Sequence, residues 1–282
     1  MAAVLRIGEL SKRSGVSPEL LRAWERRYAL LRPTRSAGGL RLYSAADLER
    51  VRLMQQHIAS GVAAAEAAAL TLGADASDDS DASTARLQGE LADALDAFDE
   101  PHAQAVFDRL LAVTTVDSLL ADVVMPYLRE LGDRWERDEV SVAQEHFASA
   151  VLRGRLLGLG RGWGLGVGPL AVLACAPGEY HDLGLIAFGL ALRARGWRIV
   201  YLGTDAPLET VEETSRQLEP SLVVVHAVDA ERVRPVAEQI ASLARRHRVA
   251  LGGAAAATGA LADDRVLLLR GSVVDEAAGI TP

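Results

Sequence analysis

Apolar and polar positions change their period three times along the chain. Between Ile7 and Arg27, apolar residues recur three and four apart among charges, which predicts two short helices joined at Ser14-Gly15-Val16. Ser17 can cap the second, with Pro18 at its first position, Glu19 in its first turn and Leu20 and Leu21 behind. Gly38-Gly39-Leu40-Arg41-Leu42-Tyr43 then reads as a glycine-containing hairpin, and Ser44-Ala45-Ala46-Asp47 as another helix start. From Gly73 to Thr84 the chain is acidic, small and without bulky apolar side chains, the composition of a flexible linker. The helical period returns from Leu87 to about Leu159. Val116, Leu119, Leu120, Val123, Tyr127, Leu128, Leu131 and Trp135 form one stripe, and helices near 87–98, 101–113 and 140–159 complete a four-helix bundle. Glycines at 160, 162, 164, 166 and 168 make a connection. Beyond 170, apolar runs at 170–176, 198–202, 222–228, 249–251 and 266–269 alternate with helical stretches at 183–195, 208–218 and 230–246. Runs apolar on both faces predict a parallel sheet covered by helices.

The fold class is therefore multidomain. A helical, winged helix-turn-helix head spans 1–72, an acidic linker 73–86 and a four-helix bundle 87–160. An α/β doubly wound parallel, flavodoxin-like sheet spans 161–282.

With 24% charged and 50% apolar residues the chain reads as globular. It has no apolar run long enough for a membrane span, and its amino terminus lacks the layout of a signal peptide. One cysteine, Cys175, excludes an internal disulfide and suits a reducing cytoplasm. Net charge is −8, yet residues 1–72 carry eleven Lys/Arg against six Asp/Glu, so a head of +5 sits on a body of −13. That asymmetry points to one DNA-facing module. Arg22, Arg26 and Arg27 fall on the second helix, the one that enters a major groove in a helix-turn-helix.

The candidate chemistry lies after the first strand of the sheet, in Gly178-Glu179-Tyr180-His181-Asp182-Leu183-Gly184. Open α/β sheets bind ligands where a strand turns into a helix. An imidazole there can ligate a metal, an acid two residues earlier can hold its other nitrogen, and Gly184 lets the backbone approach a bulky ligand. Read alone, the loop is equally a polar connection with one exposed histidine. His226 and Gly252-Gly253 fall at the same end of the sheet. In the bundle, Glu145-His146 is a polar pair in a helix, and Trp135 can simply end the core stripe.

Ile7-Gly8-Glu9-Leu10, Leu21-Arg22-Ala23-Trp24-Glu25-Arg26-Arg27-Tyr28, Leu31-Arg32-Pro33 and Arg41-Leu42-Tyr43-Ser44 resemble the MerR family of winged helix-turn-helix regulators. The resemblance implies operator contacts from Arg22, Trp24, Arg26, Tyr28, Arg41 and Tyr43. Glu179-x-His181-x-x-Gly184 resembles the cobalamin-binding signature, which implies His181 as lower ligand to cobalt. Gly252-Gly253 resembles the glycine pair that admits the nucleotide tail. Trp135 with Glu145-His146 resembles the bundle motif that cups the upper face of the corrin. Together the chain is similar to the CarH/LitR light-dependent repressors. The resemblance implies a cytoplasmic, non-enzymatic regulator that binds adenosylcobalamin and operator DNA and changes its homo-oligomeric state, dimer or tetramer, with light.

Two positions depart from that pattern. Glu136 stands where a histidine takes the upper cobalt position after photolysis. His226-Ala227-Val228 replaces Ser-x-Leu, making His226 a structural histidine, a contact to another chromophore's propionate, or a ligand. These departures keep open biliverdin or another bilin instead of or beside cobalamin, with Cys175 as a conceivable thioether attachment point. A light-insensitive cobalamin sensor and a corrinoid enzyme subunit are the remaining alternatives.

Overall fold

The computed structural model describes residues 5–281 except Ala37, with backbone alone for 74–82; Met1–Val4 of the amino-terminal stretch lie outside it. The chain divides into two compact units, Met1–Ser83 and Thr84–Pro282.

In the first unit, α1 (Ile7–Ser14) and α2 (Pro18–Tyr28) precede the short antiparallel pair β1 (Thr34–Arg35) and β2 (Arg41–Leu42), followed by α3 (Ala45–Ala59). Gly15, at φ 73°, closes α1 in the left-handed conformation that glycine adopts without strain. The Ser17 hydroxyl accepts the Leu20 N–H, and Ser44 and Asp47 form a reciprocal capping box on α3. Leu10, Leu21, Leu30, Val51 and Met54 form the core of this unit.

α4 (Ala64–Asp96) passes through the stretch expected as a linker. Its run of alanines and lack of proline allow helix to continue where acidic composition predicted coil. The expected bundle is formed by the end of α4, α5 (Glu100–Val113), the segment from α6 (Val116–Ser118) to α7 (Met125–Glu136), and α8 (Val142–Leu159). Between α6 and α7 the turn widens into a π segment, Leu119–Val124, where the Met125 N–H bonds the Leu120 carbonyl. Pro126 has no N–H for the carbonyl four residues back, which favours the wider turn.

The sheet contains β3 (Leu170–Cys175), β4 (Arg198–Gly203), β5 (Leu222–His226), β6 (Val249–Gly252) and β7 (Val266–Leu268). All are parallel, in the order β4-β3-β5-β6-β7. α9 (Leu183–Ala194) and α10 (Leu208–Leu218) follow β3 and β4. The single helix expected over 230–246 is broken at Pro235 into α11 (Ala230–Val233), a 3-10 turn, and α12 (Ala237–Leu243). A last helix, α13 (Val273–Gly279), packs on α9.

Bundle and sheet were expected as separate domains, but they share one core. Leu91, Phe107 and Leu120 of the bundle belong to the same buried cluster as Leu173, Ile186 and Trp197. The glycine-rich connection joins it through Trp163, packed edge-on to Tyr201 at 5.7 Å. Val225, Leu251 and Ile240 lie in the cluster on the opposite face. Among the described residues no helix is long and apolar enough to cross a membrane.

Candidate functional site

Parallel register places Cys175, His226 and Gly252 side by side at the carboxyl ends of β3, β5 and β6. The loop after β3 folds over them, with Glu179 buried beneath it. One oxygen of Glu179 accepts the His181 backbone N–H at 2.9 Å and lies 2.7 Å from His181 Nδ1; the other accepts the Val228 N–H at 2.8 Å. Burial acts to raise the Glu179 pKa. The backbone N–H groups of His181 and Val228, with the His181 ring, outweigh it and hold the carboxyl below its usual range. An ionised Glu179 keeps the proton on Nδ1 and turns the Nε2 lone pair outward on a side chain that is 76% exposed. This is a pre-oriented, exposed imidazole able to ligate through one nitrogen.

Asp182, next in the chain, is buried and receives Arg153 Nε of α8 at 2.8 Å and the Tyr201 hydroxyl of β4. Burial and the bond to Asp182 hold the Tyr201 phenol well above its ordinary pKa, so it donates as a neutral group. Arg153 thus ties the bundle to the histidine loop. Neither residue was singled out from sequence; the second acid in a loop already carrying Glu179 was the signal for Asp182.

Cys175 is wholly buried. Burial, reinforced by Asp182 and Glu179, pushes its thiol to about 12. Cys175 is thus the small buried strand residue that its apolar run suggested, and its neutral, enclosed thiol presents no thiolate for attachment. His226 is 6% exposed, and burial lowers its pKa to about 4, so it is neutral at physiological pH. Its ring is packed against three glycine backbones. A Cβ built on Gly184 would stand 3.1 Å from its Cε1, one on Gly253 2.9 Å from the same atom, and one on Gly252 3.7 Å from its Nδ1. Gly184, expected to admit a bulky ligand, instead abuts this imidazole.

Trp135 and Glu136 end α7, and Glu145 and His146 lie in the first turn of α8, on either side of the connection 137–141. Trp135 is 49% exposed, so the core stripe ends at Leu131. His146 is exposed, with Nδ1 2.5 Å from Glu145, which also accepts the Ser149 hydroxyl at 2.8 Å. Asp96 fixes this end of the bundle by pairing with Arg134 at 2.6 Å and accepting Gln144 through its carbonyl at 3.1 Å. Phe98, half-exposed and 5.2 Å from the Phe147 ring, adds an aromatic that sequence reading passed over. An apolar residue between two polar helix ends was its signal.

In the head, Arg22 and Arg26 are exposed on α2, and Arg27 lies over the half-buried Tyr28 ring at 5.6 Å. Arg41 donates to Glu25 at 3.0 Å, and the Tyr43 hydroxyl donates to the other Glu25 oxygen at 2.9 Å. Glu25 thus pins the hairpin to the recognition helix, a role missed among the surrounding arginines. Two expected DNA contacts are corrected. Trp24 is 5% exposed and Tyr43 is buried, both in the core of this unit, so they support the DNA-facing surface rather than form it. Burial and the bond to Glu25 raise the Tyr43 phenol to about 12.

Residues 5–72 match the MerR HTH family regulatory protein model, while 87–157 and 169–268 match two B12 binding domain models. The chain is 33% identical over 266 residues to the HTH-type transcriptional repressor CarH of Myxococcus xanthus, covering 89% of each chain. The chain belongs to this family. It is also 33% identical over 229 residues to the repressor CarA of Myxococcus xanthus, covering 80% of this chain and 77% of CarA. The monomethylamine corrinoid protein of Methanosarcina barkeri shares the fold, with TM-score 0.53 and 18% identity over 67% of this chain and 93% of that one. This family member is thus a MerR-type transcription regulator with B12-binding domains, not an enzyme.

The residues present fit a corrinoid unevenly. His181 would offer cobalt an oriented, exposed imidazole nitrogen. The glycine-lined crevice beside it is filled by His226.

Proposed function

We propose that the chain is a light-responsive transcriptional regulator that reads an alkylcorrinoid, adenosylcobalamin in the first instance, at the loop end of its sheet. The supporting observation is the outward-facing Nε2 of His181, oriented by the buried Glu179. An alkylcorrinoid supplies a cobalt–carbon bond that light can break. The chain's own residues bind and transmit. His181 would hold cobalt through its free nitrogen, while Trp135, His146 and Phe98 would offer aromatic surface from the end of the bundle. The Arg153–Asp182 pair carries a shift of α8 into the His181 loop. A two-state assembly biased in this way changes its oligomeric state between darkness and light.

In the head, Arg22, Arg26 and Arg41 supply phosphate and base contacts to operator DNA, on a frame held by Trp24, Tyr43 and Glu25. Glu136 carries a carboxylate where the resemblance expects an imidazole, so a second histidine ligand would not come from that position.

The test combines spectra with assembly. Protein prepared in darkness with adenosylcobalamin and biliverdin both supplied is recorded before and after green and red light, with sedimentation and operator binding followed in parallel. A corrinoid spectrum that changes under green light together with assembly supports the proposal. A long-wavelength bilin band instead replaces the corrinoid with a linear tetrapyrrole. A corrinoid spectrum inert to light leaves a cobalamin sensor. For the head, Arg22→Ala with Arg26→Ala reduces the salt slope of operator binding by roughly two, about one per lost phosphate contact.

A further inference from the structure

The crevice between β3, β5 and β6 is the natural place for any part of a ligand that penetrates the sheet. Its walls are backbone: Gly184 opens α9, and Gly252 and Gly253 end β6. Three residues without side chains converge there, and such a lining leaves a slot that a flat group can enter. In this chain the flat group is already present. His226, whose register pairs it with both Cys175 and Gly252, places its imidazole where a Cβ on Gly253 or Gly184 would crowd it and one on Gly252 would just touch it. Gly253 has φ 86°, and a Cβ there would lie 2.2 Å from the Ala227 carbonyl oxygen as well as 2.9 Å from the ring. Gly253 therefore cannot carry a side chain, Gly184 leaves a Cβ little room beside the ring, and Gly252 lies at ordinary contact distance, so the imidazole closes the slot. The loop above is no freer, because Glu179 joins His181 to Val228 across the top of the slot.

We propose that His226 is a specificity-determining residue. By occupying the slot it selects corrinoids that bind through the ring and the His181–cobalt bond alone, and it disfavours those that must insert a bulky nucleotide base beneath the ring. The preferred chemistry is a corrin with an open lower face and no buried tail. That is met by a corrinoid lacking the nucleotide loop, or less well by a complete cobalamin whose tail stays outside the protein. This rests on the corrinoid reading above.

The experiment is a dark spectrophotometric titration of the full chain with aquocobinamide, which lacks the nucleotide, and with aquocobalamin, which carries it. Wild type binds the cobinamide at least tenfold more tightly. His226→Ser, which opens the slot, reduces that ratio by at least tenfold, whereas His226→Leu, which keeps it filled, retains it. Because cobalamin must also release its own base from cobalt, support comes from the change of the ratio between wild type, His226→Leu and His226→Ser, while a low wild-type ratio tells against the slot without any variant. A wild-type ratio below ten, or a ratio equal in wild type and a folded His226→Ser, overturns the proposal while the corrinoid reading survives. Absence of a histidine–cobalt spectrum with both ligands overturns the corrinoid reading itself. His181→Ala, expected to lose that spectrum with both, identifies the ligand.

Discussion

His181 and His226 stand at the ends of neighbouring strands, and one carboxylate, Glu179, reaches the backbone beside each. Their fates differ completely. His181 is 76% exposed at its side chain, with one nitrogen held and the other free. His226 is 6% exposed and enclosed by glycine backbone. The difference follows from where each falls along its strand. His226 is the last residue of β5, whose burial is complete, so its side chain shares the sheet's interior. His181 lies six residues past the end of β3, on a loop from which Glu179 and Asp182 turn inward while His181 stays exposed. The same side chain faces solvent with a free nitrogen in one place and fills the interior in the other.

The largest test removes the exposed member. His181→Ala abolishes the histidine–cobalt spectrum and weakens corrinoid binding by about a hundredfold, at the upper end of what losing metal-site partners costs. His226→Leu leaves that spectrum intact. If His226→Leu removes the ligation and His181→Ala does not, the assignment of the two roles is reversed.

The buried member should reveal itself through pH. Its folded pKa, about 4, lies below its ordinary 6.5. Above pH 6.5 both folded and unfolded chains hold it neutral and it contributes no pH dependence. Between 6.5 and 4 the unfolded chain binds a proton that the folded chain refuses, so stability falls with falling pH. A gap of this size corresponds to about 3 kcal/mol across that window. Denaturant melts of wild type against His226→Leu should differ in slope there and nowhere above it. Equal slopes would mean that the imidazole is solvated and the slot open.

Glu179→Gln tests the element common to both histidines. The depressed carboxyl contributes stability that is present above the ordinary carboxylate pKa and lost as pH falls through the folded value. Glutamine offers one oxygen where two acceptors are needed, so one backbone N–H, on His181 or Val228, faces a donor. The expected loss is about 2 kcal/mol at neutral pH, with corrinoid affinity roughly tenfold weaker because His181 is no longer oriented. Unchanged affinity would show that His181 needs no partner.

Periodicity made most of the architecture legible. The strands begin where apolar runs begin, because a strand buried on both faces cannot conceal its composition. The His181 loop was legible as a polar turn at the carboxyl end of such a strand, where open α/β sheets place ligands, but its residues alone fitted a plain connection equally well. What stayed hidden depended on tertiary contact. Trp24 and Tyr43 sit among arginines in sequence but are buried in the core of the head, where Tyr43 shares Glu25 with Arg41. The acids of α4 suggested coil, while its alanines sustain helix. His226 was visibly unusual, but its surroundings come from Gly184 and Gly252-Gly253, brought together only by the parallel register. Asp182 beside His181 carried no periodic signal of its partner Arg153, 29 residues away.

That pair supplies the smallest effect and the sharpest division between the two histidines. Arg153 is 44% exposed at its side chain while Asp182 is buried, so solvent screens one end of the bridge and not the other. Removing one partner of a buried pair is costly, but this one keeps the Tyr201 hydroxyl, and partial exposure discounts the loss. Arg153→Ala should therefore destabilise the unit by about 1–2 kcal/mol, lowering its melting temperature by a few degrees. Arg153→Lys restores charge without the second guanidinium contact and should fall between. Because Asp182 adjoins His181, Arg153→Ala should also weaken corrinoid binding by about threefold, a share of the loss expected when a ligand's supporting contacts are cut. The acid-side slope assigned to His226 should not move, since that ring is held by β5 and the glycines and not by the bundle. A change in that slope would mean that the two histidines respond as one unit, and the division drawn between them would fail.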